Sequence, residues 1–498
     1  MDKSTLGIAF ALLVWGFSLD FLNIGLGTRL LDIGLGTREP INHSVKTVSS
    51  MPDQNNLSLL TDLYQLTMAQ SYFAEKRFAE ATFSIFVRSY PPDRGYFVCA
   101  GLDDVLGFLE NFAFDGRAIE YLSAQKLFSE GFLRYLSELR FTGDVWAIPE
   151  GRIVFKEEPL LELSAPIIQA QIAETLIINQ LHLQTMIATK AARCVHASGG
   201  RPLVDFALRR THGTDAGMKV ARASYLAGFV GTSNVMAGET YGIPIVGTMA
   251  HSFVSSFEHE IDAFRAYVRS FPHNAILLID TYDTVQGARN AVQIAKEMSA
   301  RGETLIGVRL DSGDLAGLAR QVRKIFDDAN LTGVKIIGSG GLDEYDLAEL
   351  AAADAPFDSY GVGTRMGTSA DAPWMDMAYK LVEYDCAPVL KLSTGKASCP
   401  GRKQIFRTRD GRGNLARDTI GLRDEQIDGE TLLQPAMDNG RRTTPIPTLS
   451  ESRKLFIADF AALPADLKAL RNPPHYPLEH SQALDELREQ TIAKYAVR

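Results

Sequence analysis

The stretch LIGVRLDSGDLAGLARQVRKIFDDANLTGVKIIGSG, residues 305–340, contains two apolar runs separated by a segment of helical character. The runs are Leu305–Leu310 and Val334–Gly338, and the segment between them is Leu315–Ala329. A short run that is apolar at nearly every position is typical of a parallel strand covered by helices on both faces. The stretch therefore predicts a strand–helix–strand unit.

The same alternation extends over the middle of the chain. Four more apolar strand cores lie before and after this unit: Leu203–Leu208, Ile243–Thr248, Ile276–Asp280 and Ser359–Gly363. Helical stretches such as Thr284–Arg301 separate them. Parallel strands that alternate with helices in this way predict an α/β fold, namely a β/α barrel, complete or incomplete, over residues 201–385.

The flanking regions have a different pattern. Residues 57–200 mix helices and short strands, and they predict an N-terminal α/β domain that ends in a long bridging helix, Ile167–Arg193. The first helix of this domain falls in LTDLYQLTMAQSYF, residues 60–73, with Thr61 as its predicted N-cap. Residues 386–498 combine loops, short strands and a charged helical tail, and we expect them to return to the N-terminal domain.

Residues 1–56 differ from the rest of the chain. They contain an apolar run, Leu6–Leu19, and two copies of IGLGTR, at Ile24–Arg29 and Ile33–Arg38. The run is short for a membrane span, which needs about 20 apolar residues, and no A-x-A cleavage motif follows it. We expect an extension outside the globular fold, disordered or artefactual. A membrane or export role is the alternative.

Composition and charge exclude some classes of function. The chain has 498 residues, a formal net charge of -9 and no long basic run, so we expect no nucleic-acid partner. Its four cysteines, Cys99, Cys194, Cys386 and Cys399, form no CxxC pair, which argues against a zinc site or a disulfide scaffold. This cysteine usage suits a reducing compartment, and we expect a cytoplasmic protein.

Glycine and polar residues follow each of the six strand cores. In chain order they are Arg209, Arg210, His212, Gly213, Gly247, Thr248, His251, Asp280, Tyr282, Asp283, Arg309, Asp311, Ser312, Asp314, Ser339, Gly340, Gly341, Gly361, Gly363, Thr364 and Arg365. In a β/α barrel the carboxyl ends of the strands meet at one face, so these residues should converge. Glycine backbones and arginines bind phosphate, and the aspartates could hold Mg²⁺ or a ribose diol. The set predicts a site for a sugar phosphate.

His251 belongs to the segment GTMAHSFV, residues 247–254. One interpretation is a buried imidazole whose nitrogens are satisfied by hydrogen bonds. The other is a nucleophile or proton carrier at the mouth of the barrel. Its position after a predicted strand, among anion-binding loops, favours the second interpretation.

Several motifs together resemble the nicotinate phosphoribosyltransferase family. They are LTDLYQLTMAQSYF, FALRRTHGTDAG, GTSNVMAGETYGIPIVGTMAHSFV, LLIDTYDT, GVRLDSGDL, IIGSGGLDE and YGVGTR. The resemblance extends from about residue 57 to the C-terminus. It implies a type II phosphoribosyltransferase fold, in which an N-terminal α/β sandwich lies beside the irregular barrel.

The resemblance also implies a reaction. Nicotinate would react with 5-phosphoribosyl 1-diphosphate to give nicotinate mononucleotide and diphosphate, as a step of NAD salvage. ATP hydrolysis with Mg²⁺ would be coupled to this transfer through phosphorylation of His251. Arg209, Arg309 and Mg²⁺ would stabilise the leaving diphosphate.

Particular roles follow from the motif match. It implies that Tyr64, Thr248 and Arg309 contact nicotinate and that Asp311 holds the ribose hydroxyls. It also implies that the 5′-phosphate is bound by Gly340, Gly341, Gly363 and Thr364. Among the strand-end aspartates, Asp280 and Asp283 are the predicted metal ligands. His251, Arg309 and Asp311 are the predicted catalytic residues. Because Tyr64 comes from the N-terminal domain, the resemblance implies a homodimer with shared active sites.

Ser233 bears on the choice of substrate. Related nicotinamide phosphoribosyltransferases carry an aspartate at this position, and an aspartate would accept a hydrogen bond from an amide but repel a carboxylate. Serine therefore favours nicotinate, unless Ser233 is only a helix cap. The alternatives are nicotinamide or quinolinate phosphoribosyl transfer on the same fold, and a non-catalytic homologue that would be expected to lack Arg309, Asp311 or His251.

Overall fold

The computed structural model describes residues 57–392, 398–443, 445 and 447–496. The predicted extension, residues 1–56, lies outside the described residues. The structure therefore does not test whether its apolar run belongs to a dispensable extension or has a membrane or export role. Among the described residues, no helix combines the length and the apolar character that a membrane span requires.

A six-stranded parallel sheet contains the strands predicted from residues 305–340. Gly307–Leu310 and Lys335–Gly338 are neighbours, and Gly307 pairs with Lys335 at the start of their register. Across the sheet the order is Gly231–Thr232, Leu203–Asp205, Ser359–Val362, Lys335–Gly338, Gly307–Leu310 and Ile276–Leu278. The sheet curls but stays open, because the first and last strands of this order do not pair with each other. The predicted incomplete barrel is confirmed.

One predicted barrel strand is wrong. Ile243–Thr248 is not a strand, and Gly231–Thr232 takes the place next to Leu203–Asp205. Only Ile245 forms a bridge to Thr232, flanked by two hydrogen bonds between their segments. Pro244 lacks an N–H, so this apolar run cannot complete a hydrogen-bonded ladder and remains an extended segment along the sheet edge.

The crossover helices pack on the sheet through one apolar side. Leu315–Asp328 buries Ala319, Val322 and Phe326, and Asp314 caps its first turn. The helices of the described chain are Leu63–Ala74, Leu102–Glu110, Gly116–Ala124, Glu130–Glu138, Ile167–Ala197, Thr214–Leu226, Val235–Tyr241, His251–Val254, Glu260–Ser270, Thr284–Ser299, Leu315–Asp328, Glu344–Ala352, Thr364–Gly367, Leu449–Ala462 and Gln482–Ala496, with 3₁₀ turns at Leu208–Arg210 and Asp466–Lys468.

A seven-stranded antiparallel sheet forms the other main layer. Its order is Ala387–Pro388, Met377–Tyr384, Glu80–Val87, Leu161–Pro166, Asp144–Ala147, Gln434–Asp438 and Arg441–Arg442. Met377–Tyr384 falls inside the predicted barrel range, residues 201–385, yet it pairs with Glu80–Val87 of the N-terminal region. The domain boundaries themselves stay predictions.

Two smaller sheets complete the strand pairing. One has the order Glu430–Thr431, Lys403–Arg409, Leu415–Leu422 and Leu478–His480, and the other pairs Phe97–Val98 with Ile153–Val154. The four-stranded sheet therefore joins strands from three separate parts of the C-terminal region.

The bridging helix, Ile167–Ala197, is 31 residues long and buried along most of its length. It packs against elements of both main layers, including Leu63–Ala74, Thr214–Leu226 and Glu344–Ala352. Leu63–Ala74 has Asp62 at its N-cap, whereas the predicted cap, Thr61, donates its hydroxyl to the carbonyl oxygen of Ile172 at 3.2 Å. The bridging helix, Ile167–Ala197, thus supports both main layers.

A buried charge cluster connects the bridging helix to the barrel. The Glu344 carboxylate accepts from Arg193 Nε at 2.8 Å and also pairs with Lys190, and all three residues are buried. Lys190 also pairs with Asp371 at 2.7 Å. The Asp371 carboxylate accepts hydrogen bonds from both terminal nitrogens of Arg94. Charges removed from water in this way are stable only while each keeps its partner.

We predict that Glu344→Ala lowers the free energy of unfolding by about 3–5 kcal/mol, since Arg193 would remain buried without a carboxylate. Urea denaturation measures this change. The control is Asp328→Ala, which breaks a 3.0 Å pair with Lys324 whose side chains are 64% and 75% exposed. An exposed pair contributes about 0–1 kcal/mol. Equal losses in the two variants would contradict the assigned importance of the buried cluster.

Candidate active site

A cavity of about 600 Å³ opens at the carboxyl ends of the parallel strands. All but three of the residues with a predicted individual role line it: Arg209, Ser233, Thr248, His251, Arg309, Asp311, Gly340, Gly341, Gly363 and Thr364. Apart from Ser233, these residues lie at or just after the ends of five predicted strand cores, whereas Ser233 follows Gly231–Thr232, which the sequence did not predict as a strand. The three exceptions are Tyr64, Asp280 and Asp283. Of the other predicted strand-end residues, the following do not line the cavity: His212, Gly213, Tyr282, Ser312, Asp314 and Arg365.

Arg309 is the most enclosed charge in this cavity, with a side chain that is 12% exposed. Its guanidinium donates to Asp311 Oδ1 at 2.9 Å, to Ser339 Oγ at 3.1 Å and to the carbonyl oxygen of Met249 at 2.8 Å. Its Nε has no hydrogen-bond partner among the described residues. Burial lowers the pKa of Arg309, because it disfavours the charged form. An anion bound here would relieve that cost.

Asp311 links three of the strand-end loops. Its Oδ1 accepts from Arg309 and, at 2.5 Å, from the hydroxyl of Ser339. Its backbone N–H donates to Asp280 Oδ2 at 2.8 Å, and Ser312 Oγ donates to the same oxygen at 2.8 Å. Asp280 therefore lies directly behind the cavity lining and fixes the position of Asp311.

His251 begins a short helix, His251–Val254, and its side chain is 45% exposed. Its Nδ1 is 3.2 Å from Thr281 Oγ1, and its Nε2 is 3.9 Å from Asp311 Oδ2. A hydrogen bond between Nδ1–H and Thr281 would leave the lone pair on Nε2, at the cavity side. The imidazole is thus not a buried core residue, and it has one nitrogen available for chemistry.

Gly340 and Gly341 form the loop after Lys335–Gly338, and both have positive φ angles, 105° and 75°. A Cβ on Gly340 would lie 1.9 Å from the backbone oxygen of Asp311, whereas a Cβ on Gly341 would meet no atom within 4 Å. Only glycine at position 340 lets the two neighbouring loops come this close. The position of Asp311 thus depends on Gly340.

Arg209 and Arg210 line the same cavity and lie on an exposed 3₁₀ turn. Arg210 donates to the Thr364 hydroxyl at 3.2 Å. Thr364 follows Gly363, just after the strand Ser359–Val362. These residues supply cationic and hydroxyl groups at the rim, as an anionic substrate would require.

Ser233 and Thr248 also line the cavity. Ser233 follows Gly231–Thr232, and Asn234 rather than Ser233 caps the helix Val235–Tyr241. The interpretation of Ser233 as only a helix cap is therefore wrong. Thr248 donates to the carbonyl oxygen of Met249, which also accepts from Arg309.

Tyr64 lies elsewhere. It borders a second cavity, of about 420 Å³, together with Glu174, Tyr379, Lys380 and Lys391 among others. Its side chain is half exposed, and burial together with the negative charge of Glu174 raises the pKa of Tyr64 to about 12. Within one chain, Tyr64 does not contribute to the cavity that contains Arg309.

The carboxylates proposed as metal ligands have separate environments. Asp283 Oδ1 accepts from Gln286 N at 2.7 Å and caps the helix Thr284–Ser299. Asp280 Oδ1 is buried without a hydrogen-bond partner in the described chain. The described residues include no group of three or more His, Cys, Asp and Glu side chains arranged to hold a metal ion.

Sequence reasoning included Ser339 and Arg210 in the predicted strand-end set but assigned neither an individual role. Ser339 joins Arg309 to Asp311, and Arg210 lines the opening. Their positions at strand ends were the available signal. Because serine is common at turns, only the hydrogen bonds in the structure identify Ser339 as part of the site.

We predict that Gly340→Ala lowers the thermal midpoint of unfolding more than Gly341→Ala does. Both substitutions place alanine at positive φ, which costs about 1–2 kcal/mol, but only the first creates a clash with the Asp311 backbone. Displacement of Asp311 should also lower kcat/KM at least about 100-fold. Similar unfolding midpoints for the two variants would show that the contact between the loops is not tight.

Family models match three parts of the chain. They describe the nicotinate phosphoribosyltransferase (NAPRTase) N-terminal domain over residues 59–182, the nicotinate phosphoribosyltransferase (NAPRTase) family over residues 202–404, and the nicotinate phosphoribosyltransferase C-terminal domain over residues 427–488. The first and second matches include the predicted site residues of the N-terminal region and the barrel.

Individual relatives agree with the family models. Nicotinate phosphoribosyltransferase pncB2 of Mycobacterium tuberculosis is 49% identical over 429 residues, covering 86% of this chain and 92% of that protein. Nicotinate phosphoribosyltransferase of Bacillus subtilis is 40% identical over 389 residues, covering 76% and 79%. The crystal structure of human nicotinic acid phosphoribosyltransferase covers 86% of this chain and 99% of its own, with 29% identity and a TM-score of 0.79. The chain therefore belongs to the nicotinate phosphoribosyltransferase family, and its open parallel sheet is the irregular barrel of a type II phosphoribosyltransferase.

Proposed function

We propose that this protein transfers the phosphoribosyl group of 5-phosphoribosyl 1-diphosphate to nicotinate, giving nicotinate mononucleotide and diphosphate, in cytoplasmic NAD salvage. The observation that carries the proposal is the position of Arg309 beside Asp311 and Gly340 in one cavity. The relatives named as nicotinate phosphoribosyltransferases support the identity of the substrate.

Arg309 is the proposed partner of the nicotinate carboxylate. It is enclosed, and its Nε lacks a hydrogen-bond partner in the described chain. A carboxylate suits the planar donors of a guanidinium, and pairing would offset the burial that lowers the pKa of Arg309. Thr248, which also lines the cavity, offers a hydroxyl group to the ring substrate.

Asp311 is the proposed partner of the ribose hydroxyls. Its Oδ1 is occupied by Arg309 and Ser339, whereas Oδ2 faces the cavity near His251. A carboxylate held from behind can accept hydrogen bonds from a diol without having to reorganise. The turns containing Gly340, Gly341, Gly363 and Thr364 are the proposed 5′-phosphate cradle, since backbone N–H groups at such turns bind phosphate.

His251 is the proposed phosphohistidine. Its Nε2 lone pair would attack the γ-phosphorus of ATP, the bond from that phosphorus to the bridging oxygen would break, and ADP would leave. Thr281 holds the opposite nitrogen, at 3.2 Å, and so fixes the orientation of the ring. The phosphorylated ring would add negative charge beside the diphosphate subsite.

Mg²⁺ is the proposed metal ion, and Asp280, behind the cavity lining, is its first proposed ligand. The buried, unpartnered Oδ1 of Asp280 is an oxygen ligand of the kind this cation prefers, and substrate phosphates usually complete its coordination. When bound, Mg²⁺ would neutralise charge on the diphosphate. Asp283 remains a second candidate ligand, although its Oδ1 already caps a helix.

A homodimer would explain the position of Tyr64. Stacking on the pyridine ring requires a tyrosine at the cavity, and the chain's own Tyr64 lies in a different cavity. A second copy could supply it, because the side chain is half exposed. In this proposal each active site uses residues of both subunits.

Nicotinamide and quinolinate remain the alternative substrates. A nicotinamide site would contain an aspartate at position 233, whereas this chain has Ser233 on the cavity wall. Quinolinate carries two carboxylates and needs more than one cation at the ring, whereas Arg309 is the one enclosed cation of the described lining. Both comparisons favour nicotinate.

The deciding experiment assays nicotinate, nicotinamide and quinolinate in parallel, with and without ATP, for the wild-type chain and for His251→Ala. We predict that the wild type uses nicotinate and is stimulated by ATP. His251→Ala should lose this stimulation yet keep slow ATP-independent transfer, because the phosphoribosyl-binding residues are intact.

The control is His259→Ala, which changes an exposed histidine outside the cavity lining and should keep ATP stimulation. If His251→Ala still couples ATP hydrolysis to transfer, the phosphohistidine assignment is wrong. Preferred use of nicotinamide or quinolinate by the wild type would overturn the proposed substrate.

We predict that Ser233→Asp lowers kcat/KM for nicotinate at least about 10-fold, which corresponds to ~1.4 kcal/mol, because a carboxylate at this wall would repel the substrate carboxylate. Steady-state kinetics measure the change. Ser299→Asp, an exposed helical position outside the cavity, adds the same charge and should leave kcat/KM unchanged. Unaltered nicotinate kinetics in Ser233→Asp would remove this residue from the specificity argument.

A further inference from the structure

A second cluster of reactive side chains lies outside the active-site lining. Cys399 Sγ is 3.8 Å from His480 Nε2, and His480 Nδ1 is 3.0 Å from Asp485 Oδ1. The series of thiol, imidazole and carboxylate lets the imidazole take the thiol proton while the carboxylate holds the opposite ring nitrogen. None of these residues has a part in the proposed phosphoribosyl transfer.

Three elements hold this cluster in place. Cys399 precedes the strand Lys403–Arg409, His480 ends the strand Leu478–His480, and Asp485 lies in the first turn of the helix Gln482–Ala496. His480 pairs with Ile420 in the same four-stranded sheet. The imidazole is therefore fixed by backbone hydrogen bonds on one side and by a carboxylate on the other.

The surroundings favour the thiolate form of Cys399. Burial by itself would raise the pKa of Cys399, but the hydrogen bond from His480 and the positive charges of His480, Lys403 and Arg488 together lower it. The hydrogen bond to Cys399 and the nearby Asp485 raise the pKa of His480 to about 9. By contrast, burial raises the pKa of the two other enclosed thiols, those of Cys99 and Cys194.

Cys399 and His480 open onto a cavity of about 390 Å³. Its lining is Phe86, Arg88, Glu157, Val382, Ser398, Cys399, Lys403, Ile420, His480 and Arg488, and none of these residues borders the active-site cavity. This volume is adequate for a small molecule.

Positive charge predominates in the lining of this cavity. The lining contains one carboxylate, that of Glu157, and four basic side chains, those of Arg88, Lys403, Arg488 and His480. Arg88 and Lys403 have partners outside the lining, whereas Arg488 makes no ion pair within the described part of the chain. A ligand that places a carboxylate here would therefore find an uncommitted guanidinium.

We propose that Cys399 is a thiol–disulfide exchange site for small disulfides that carry carboxylate groups. The Cys399 thiolate attacks one sulfur of the disulfide, a new S–S bond forms to Cys399, and the original S–S bond breaks. The other half leaves as a thiolate and takes the proton held by His480. Arg488 orients the substrate through its carboxylate. No net oxidation or reduction occurs, since one disulfide replaces another.

The test treats the full-length wild-type chain at pH 7 with dithiodipropionate, an anionic disulfide, or with cystamine, a cationic one. Peptide mass spectrometry follows the modification of each cysteine with time. We expect Cys399 to react with dithiodipropionate about 10-fold faster than the exposed Cys386, because the thiolate is the attacking species. We also expect Cys399 to react about 10-fold faster with dithiodipropionate than with cystamine.

Two variants separate the contributions of the cluster. His480→Asn should slow modification of Cys399 about 10-fold and leave Cys386 unchanged, whereas Arg488→Gln should reduce only the preference for the anionic probe. With neutral iodoacetamide, the pH midpoint for alkylation of Cys399 should lie below that of an ordinary thiol and rise in His480→Asn. If wild-type Cys399 reacts no faster than Cys386, or shows no preference for the anionic disulfide, the proposal is wrong. That comparison requires no variant.

Discussion

The carboxylate of Glu344 lies between two buried cations of the bridging helix, and much of the molecule depends on this contact. Lys190 and Arg193 come from the helix that supports the antiparallel sheet, whereas Glu344 begins the helix after the glycine loop of the barrel. Charges buried this deeply do not tolerate the loss of a partner. The cluster therefore fixes the glycine loop of the barrel relative to the bridging helix.

Within the barrel, the loops hold one another by short polar contacts. Asp280 accepts from the backbone of Asp311, Asp311 accepts from Ser339, and Gly340 allows the loops to approach. The result is an enclosed Arg309 with one donor left over. Preorganisation of this kind means that substrate binding need not reshape the site. A site that is already in place suits a reaction that depends on the positioning of its substrates more than on covalent catalysis.

Sequence patterns predicted the barrel well because its strands are apolar throughout and end in glycine or polar residues. They failed at Ile243–Thr248, where Pro244 prevents a ladder that hydropathy alone suggests. They also gave no individual role to Ser339, whose importance lies in contacts between loops distant in sequence. The cluster of Cys399, His480 and Asp485 escaped notice because its members come from separate elements. Hydrophobic periodicity predicts individual helices and strands but not which side chains of separate elements come into contact.

The length of the bridging helix has a geometrical consequence. Near its start, Glu174 accepts a hydrogen bond from Gln65, on the helix that also carries Tyr64, and near its end Arg193 holds Glu344 below the glycine loop. At 1.5 Å per residue, these attachment points are about 28 Å apart along the helix axis. The helix thus holds Tyr64 and the glycine loop of one chain at a fixed distance from each other. In the proposed homodimer, a second copy that brings its Tyr64 to this chain's cavity must match that interval.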